Sequence, residues 1–197
     1  LHQHCETIEE NDQVVQYWRK FPAKHYIECM HHESHAAGCF YQSPFQTSLV
    51  VSFDGGGNDG YFKIYLANRG APLKLLKEYR IDLGFPYMIF GEYLGDIKKE
   101  SALNIGNLVY SGKILGLQSY GNSRPEWVQH FKEIYLVGMT GNTYMEHLES
   151  LGQKIGVSFD LKNRITGQLA YDVAATSQEA FEQIFFEKVD ETIKEHN

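Results

Sequence analysis

The stretch SLVVSFDGGGNDGYFKIYL, residues 48–66, decides the fold. Ser48–Phe53 is a short apolar run rich in β-branched residues, the pattern of a buried strand, and it stops at the glycine-rich turn Asp54–Gly60. Tyr61–Leu66 alternates as a second strand. Asn68-Arg-Gly-Ala-Pro72 breaks it, and Leu73–Ile81 resumes. Three strands joined by short turns make a β-meander, so an antiparallel sheet is the economical reading. Upstream, Val14–Arg19 and Tyr26–Phe40 carry apolar residues at helical spacing, separated at Phe21-Pro22 and closed off by Ser43-Pro44. Downstream, Gly91, Gly95, Gly106, Gly112, Gly116 and Gly121 punctuate short apolar stretches that read as small helices. Glu126–Val137 and Tyr144–Ile155 read as amphipathic helices. Ala170–Ile193 reads as a longer one, with Ala174, Phe181, Ile184, Phe185 and Val189 on its apolar side.

Bulk properties narrow the functional classes. At 197 residues the chain supports one sizeable core. With 43% hydrophobic and 22% charged residues it has ordinary globular usage, which argues against disorder. A net charge of -7 leaves no basic footprint for a phosphate backbone, so nucleic acid is not an expected partner. Cys5, Cys29 and Cys39 are odd in number and lack CxxC spacing, against both a disulfide framework and a four-thiolate zinc site. A reducing cytoplasm is the expected compartment. No apolar run approaches the roughly 20 residues that span a bilayer, so no membrane association is expected. The chain starts without Met and stops at Glu195-His196-Asn197 inside a charged helical pattern, so both ends read as cut.

Three segments carry chemistry. In His31-His-Glu-Ser-His-Ala-Ala37, His31 and His35 sit four apart and share one helical face, as two ligands of one metal must, whereas His32 points elsewhere. His32, Glu33 and His35 are one residue too short for the zinc-protease motif His-Glu-x-x-His. A helix whose histidines are satisfied by hydrogen bonds is the alternative. Asp54 ends a strand and opens Gly55-Gly56-Gly57, where a carboxylate can face a cleft while backbone N–H groups meet phosphate. Two imidazoles and one carboxylate would leave coordination positions open for a substrate oxygen. A plain hairpin turn is the alternative there. In Ser111-Gly-Lys113 the lysine could meet an anion, although the segment lacks the earlier glycine and following Ser or Thr of a Walker loop.

Taken together, His31–Ala37, Phe40-Tyr-Gln-Ser-Pro-Phe45, Asp54–Gly57, Gly112-Lys-Ile-Leu-Gly-Leu-Gln-Ser-Tyr-Gly121 and Asp172-Val-Ala-Ala-Thr-Ser-Gln178 resemble, in order and approximate spacing, the carbamoyltransferases related to the nodulation and antibiotic-tailoring enzymes. The resemblance covers most of the chain. It departs at Ser111, where the family carries an acidic residue, and at Gln118-Ser119, where the family has small residues.

The resemblance implies an α/β, actin-like or sugar-kinase-type (ribonuclease H-like) fold with a mixed sheet and packed helices. Residues 1–197 would be an incomplete N-terminal domain. It also implies His31, His35 and Asp54 as ligands of a divalent metal (iron, zinc or manganese), with Gly55, Gly56, Gly57 and Lys113 in phosphate or structural roles; it assigns no catalytic residue. The implied reaction makes carbamoyladenylate from carbamoyl phosphate and ATP in a separate domain. The carbamoyl group then passes to the hydroxyl of a small-molecule acceptor, in a protein that could be oligomeric. A relative of the tRNA threonylcarbamoyl transferases and a non-catalytic scaffold of the same fold are the alternatives, the first disfavoured by the net charge of -7.

Overall fold

Strands β1 (Thr47–Gly57), β2 (Gly60–Asn68) and β3 (Lys74–Tyr79) form an antiparallel sheet of order β1-β2-β3 in the computed structural model, which describes residues 29–97, 109–137 and 143–196. The meander follows from the short connections, since Asn58-Asp59 and residues 69–73 are too few for the crossover a parallel pair needs. The mixed sheet implied by resemblance is therefore not found among the described residues. Their one parallel pairing is an isolated bridge between Leu94 and Ile165.

Side-chain alternation sorts the sheet into two faces. Leu49, Val51, Phe62 and Ile64 face the larger core, while Val50, Tyr65 and Ala67 face a smaller one. Helix α1 (His31–Gln42) covers the smaller face through His32, Ala36 and Phe40, a stripe at four-residue spacing. The larger face carries α2 (Gly84–Tyr93) and α6 (Gln168–His196), with α3 (Val109–Leu117), α4 (Pro125–Val137) and α5 (Thr143–Ile155) packed beyond them. The result is an α/β arrangement of helices on both faces of a small sheet.

Three expectations shift. Of the second upstream helix, the described part runs His31–Gln42, with residues 29 and 30 non-helical; the stretch of Tyr26–Phe40 before residue 29 and the Val14–Arg19 helix lie outside the described residues. Strand β1 does not stop at Asp54 but runs to Gly57, because a bulge absorbs the glycines: between the pairs Phe53↔Phe62 and Gly57↔Gly60, Asp54, Gly55 and Gly56 face Tyr61 alone. Gly56 takes φ 120° there, a conformation that favours glycine. Helix α6 begins at Gln168 and is longer than its apolar pattern.

Candidate metal centre

Strand parity puts Ser52 and Asp54 on the same face of β1, the face covered by α1. The buried stripe His32–Ala36–Phe40 fixes the rotation of α1 about its axis. One residue back, His31 and His35 are then carried to the edge where the bulge of β1 begins at Asp54. Three donor atoms converge: His31 Nε2 lies 2.5 Å from Asp54 Oδ2 and 3.2 Å from His35 Nε2, and His35 Nε2 lies 3.6 Å from Asp54 Oδ2. Gly57 makes this possible, because a Cβ at that position would fall on the His31 ring. The side chains are part-exposed, 37% for His31, 58% for His35 and 34% for Asp54, so the cluster opens to solvent.

A single hydrogen bond accounts for the His31–Asp54 contact but not for the approach of His35 to both. If His31 Nε2 carries a proton, it donates to Asp54 and offers no lone pair to His35; if it does not, a nitrogen lone pair faces a carboxylate oxygen at 2.5 Å. A single cation resolves both cases. Donors bound at about 2.0–2.2 Å to one ion are about 3 Å apart when adjacent, close to the spacings here. His31, His35 and Asp54 are also the one group of His, Cys, Asp or Glu among the described residues whose ligand atoms, all within 4.8 Å of one another, could hold a metal. Burial alone would push the Asp54 carboxyl up. The hydrogen bond to His31, the Gly56 N–H 2.8 Å from Oδ1 and the nearby His32 and His31 outweigh it and hold Asp54 below its ordinary value, ready to coordinate.

His32 serves a different purpose. It is fully buried, its Nε2 is 2.9 Å from the Gly60 carbonyl and its Nδ1 is 2.8 Å from Ser52 Oγ. A carbonyl only accepts, so Nε2 carries the proton and Nδ1 accepts from the serine. The ring clamps α1 to both strands of the hairpin.

The weaker assignments fare differently. Gly55 and Gly56 line a cavity of about 530 Å³ together with Asp54, Gly84, Phe85, Met88 and Ser111. The Gly56 N–H is already used by Asp54, and Gly57 is in the β-ladder opposite Gly60. Lys113 is not part of that lining; its Nζ donates to the Ile97 carbonyl at 3.4 Å and sits 5.8 Å from the Tyr110 ring.

Sequence reasoning missed Asp82. It is buried, and its Oδ1 accepts the Gly84 and Phe85 N–H groups at 3.0 and 2.9 Å, capping α2. Burial raises its pKa and the nearby charge of Asp54 adds to the rise. Gly84 lets α2 approach closely, since a Cβ there would fall on the backbone of Asp54 and Gly55. An Asp two residues before a helical run was the available signal.

The family described as carbamoyltransferase N-terminus matches residues 9–197, nearly the whole chain and all of this centre. The chain belongs to that family. This family segment is similar to the nodulation protein NolO of Bradyrhizobium diazoefficiens, 30% identical over 160 residues covering 79% of this chain and 27% of the relative. It is similar also to the nodulation protein NolNO of Sinorhizobium fredii, 29% identical over 160 residues covering 79% and 22%. The chain thus spans about a quarter of the length of the curated relatives it matches. Among the described residues of this family member no helix is long and apolar enough to cross a membrane.

Proposed function

We propose that the protein containing this chain is a cytoplasmic O-carbamoyltransferase in which His31, His35 and Asp54 hold a divalent metal, iron, zinc or manganese. Family membership supports carbamoyl transfer. The convergence of two Nε2 atoms and a carboxylate oxygen, each within 3.6 Å of the others, carries the metal reading. The donor would be carbamoyladenylate, formed elsewhere in the protein from carbamoyl phosphate and ATP, and the acceptor a hydroxyl of a small molecule. When bound, the ion would offset negative charge developing on phosphate and acyl oxygens. The chain's own residues do the rest. The imidazoles and the carboxylate leave one side of the centre open, and the cavity of about 570 Å³ that His31 and His35 line with Cys29, Ser34 and Asn58 gives room for a reacting group beside them. The antiparallel meander with helices on both faces is compatible with an actin-like fold for the intact domain. The acidic balance supports no nucleic-acid partner.

The test is metal content of the full-length protein purified without chelator, read beside carbamoyl transfer from carbamoyl phosphate and ATP to a panel of hydroxyl acceptors. Near-stoichiometric metal, lost in both His31→Ala and Asp54→Ala together with activity, is expected. A folded wild type that takes up no added iron, zinc or manganese would overturn the metal assignment. Transfer that survives both substitutions would overturn the role of the centre in the reaction.

A further inference from the structure

The first turn of α1 begins at a ligand. Its N–H groups lack intrahelical partners, and the residue at the N-cap, Met30, supplies no side-chain acceptor. The acceptors come instead from across the fold, 27 residues on. Asn58 Oδ1 lies 2.9 Å from the His31 N–H and Asp59 Oδ1 lies 3.0 Å from the His32 N–H, while Asn58 Nδ2 donates to the Cys29 carbonyl at 3.3 Å. These two residues are the tip of the β1–β2 hairpin. Its ascending strand carries Asp54, and Gly57 within it clears space for the His31 ring.

We propose that Asn58 and Asp59 are positioning residues of the metal centre: their side chains cap α1 from the hairpin tip and hold His31 and His35 within reach of Asp54. This inference rests on the metal reading above.

Several observations carry it. A ligand's backbone N–H and its ring are both tied to one hairpin, so the helix cannot slide along β1 without breaking the cap and the ring contact together. The Asp59 carboxylate is buried, and its second oxygen faces Lys63 Nζ at 3.5 Å; Lys63 in turn reaches Glu78 of β3 at 3.8 Å. The tip is therefore braced from behind across all three strands. Burial alone would raise Asp59, but the N–H groups of α1 and the Lys63 charge outweigh it and keep it ionised, and a negative charge at a helix N-terminus is favourable. His32, clamped by Ser52 and Gly60, secures the rest of the helix. Losing one cap should thus loosen the ligand geometry while leaving the helix in place.

Cobalt(II) is the probe, added to the metal-free full-length protein, with affinity measured by chelator competition and the ligand field read from the visible absorption. Asn58 is exposed, so Asn58→Ala is the variant expected to fold; Asp59→Ala, which removes the nearer of the two carboxylates facing Lys63, is secondary. Asn58→Ala should weaken cobalt binding by about 10–100-fold and shift the visible bands. Asn58→Asp, which keeps an acceptor for the His31 N–H, should restore both to within about threefold of wild type. A merely structural role would lower thermal stability without moving the bands. Wild-type affinity and bands in Asn58→Ala, or an Asn58→Asp variant as weak as the alanine, would overturn this proposal alone. A wild type that takes up no cobalt would overturn the metal reading and this proposal with it.

Discussion

His31 and His32 are neighbours with opposite duties, and the difference is a rotation of about 100° around the helix. His32 falls on the stripe with Ala36 and Phe40, so it is buried and must find both of its partners inside the protein, Ser52 and Gly60. Truncation to alanine would leave a hydroxyl and a carbonyl with lost partners and a ring-sized void. His32→Ala should cost about 2–4 kcal/mol, measured by denaturant unfolding of the metal-free protein. An unchanged midpoint would mean that the clamp does not hold α1. That His31 and His35 share one helix face was legible in the sequence, because side chains four apart on a helix are a local pattern. So was the expectation that His32 points away from it. Its partners were not legible, since Ser52 lies 20 residues off and serine in a strand carries no signal of its own.

At the scale of elements, most of the secondary structure was legible wherever apolar periodicity is long and uninterrupted, as in α4, α5 and α6. It was less so where glycines stand in for side chains. Asp54–Gly60 reads as a turn on composition, yet β-pairing persists to Gly57 because a bulge takes up the extra residues. The segment before α4 shows the same limit, since its order depends on a distant helix. Asp172, on the first turns of α6, accepts the Asn122 N–H at 2.9 Å, the Gln168 amide at 2.8 Å and the Arg124 guanidinium, while Thr176 Oγ1 accepts the Arg124 N–H at 3.0 Å. Gly121 permits the approach, as a Cβ there would fall on the Tyr171 carbonyl. Burial alone would raise Asp172, but these donors and the charge of Arg124 outweigh it and hold its folded pKa below its ordinary value. The sign follows: a carboxylate with a depressed folded pKa contributes stability above its unfolded value, near pH 4, and loses it as pH falls through the lower folded value. Asp172→Asn should therefore cost about 1–3 kcal/mol at pH 7, with the gap to wild type closing below about pH 4. Unfolding curves across that range check it, and a pH-independent gap would mean that the carboxylate charge is not what holds the segment.

Across the whole molecule, α6 joins the sheet to the helical layers. Phe181 and Phe185 stand over β1 and β2, with Phe185 5.2 Å from Phe53 and stacked 6.0 Å from Phe62. Further along, Tyr79 of β3 meets Lys188 and Thr192, and Lys77 reaches Glu195 at 2.7 Å. Phe53 adjoins Asp54, so the same aromatic group that welds α6 to the sheet backs the strand bearing the candidate carboxylate ligand. Phe185 is only partly buried, which limits the loss: Phe185→Ala should cost about 2–4 kcal/mol, a fall of about 4–16 °C in the midpoint at this chain length. Phe185→Leu should recover most of it by refilling the space. If the sheet and α6 unfold together with the metal centre, saturating metal at about 100 times its Kd returns up to about 2.7 kcal/mol, and the midpoint of Phe185→Ala climbs back by a comparable step. A midpoint that falls as expected yet ignores added metal, in a protein whose wild type binds it, would show that the centre unfolds separately from α6, and coupling through Phe53 would be wrong. An Ala variant as stable as wild type would remove α6 from the core that positions the site.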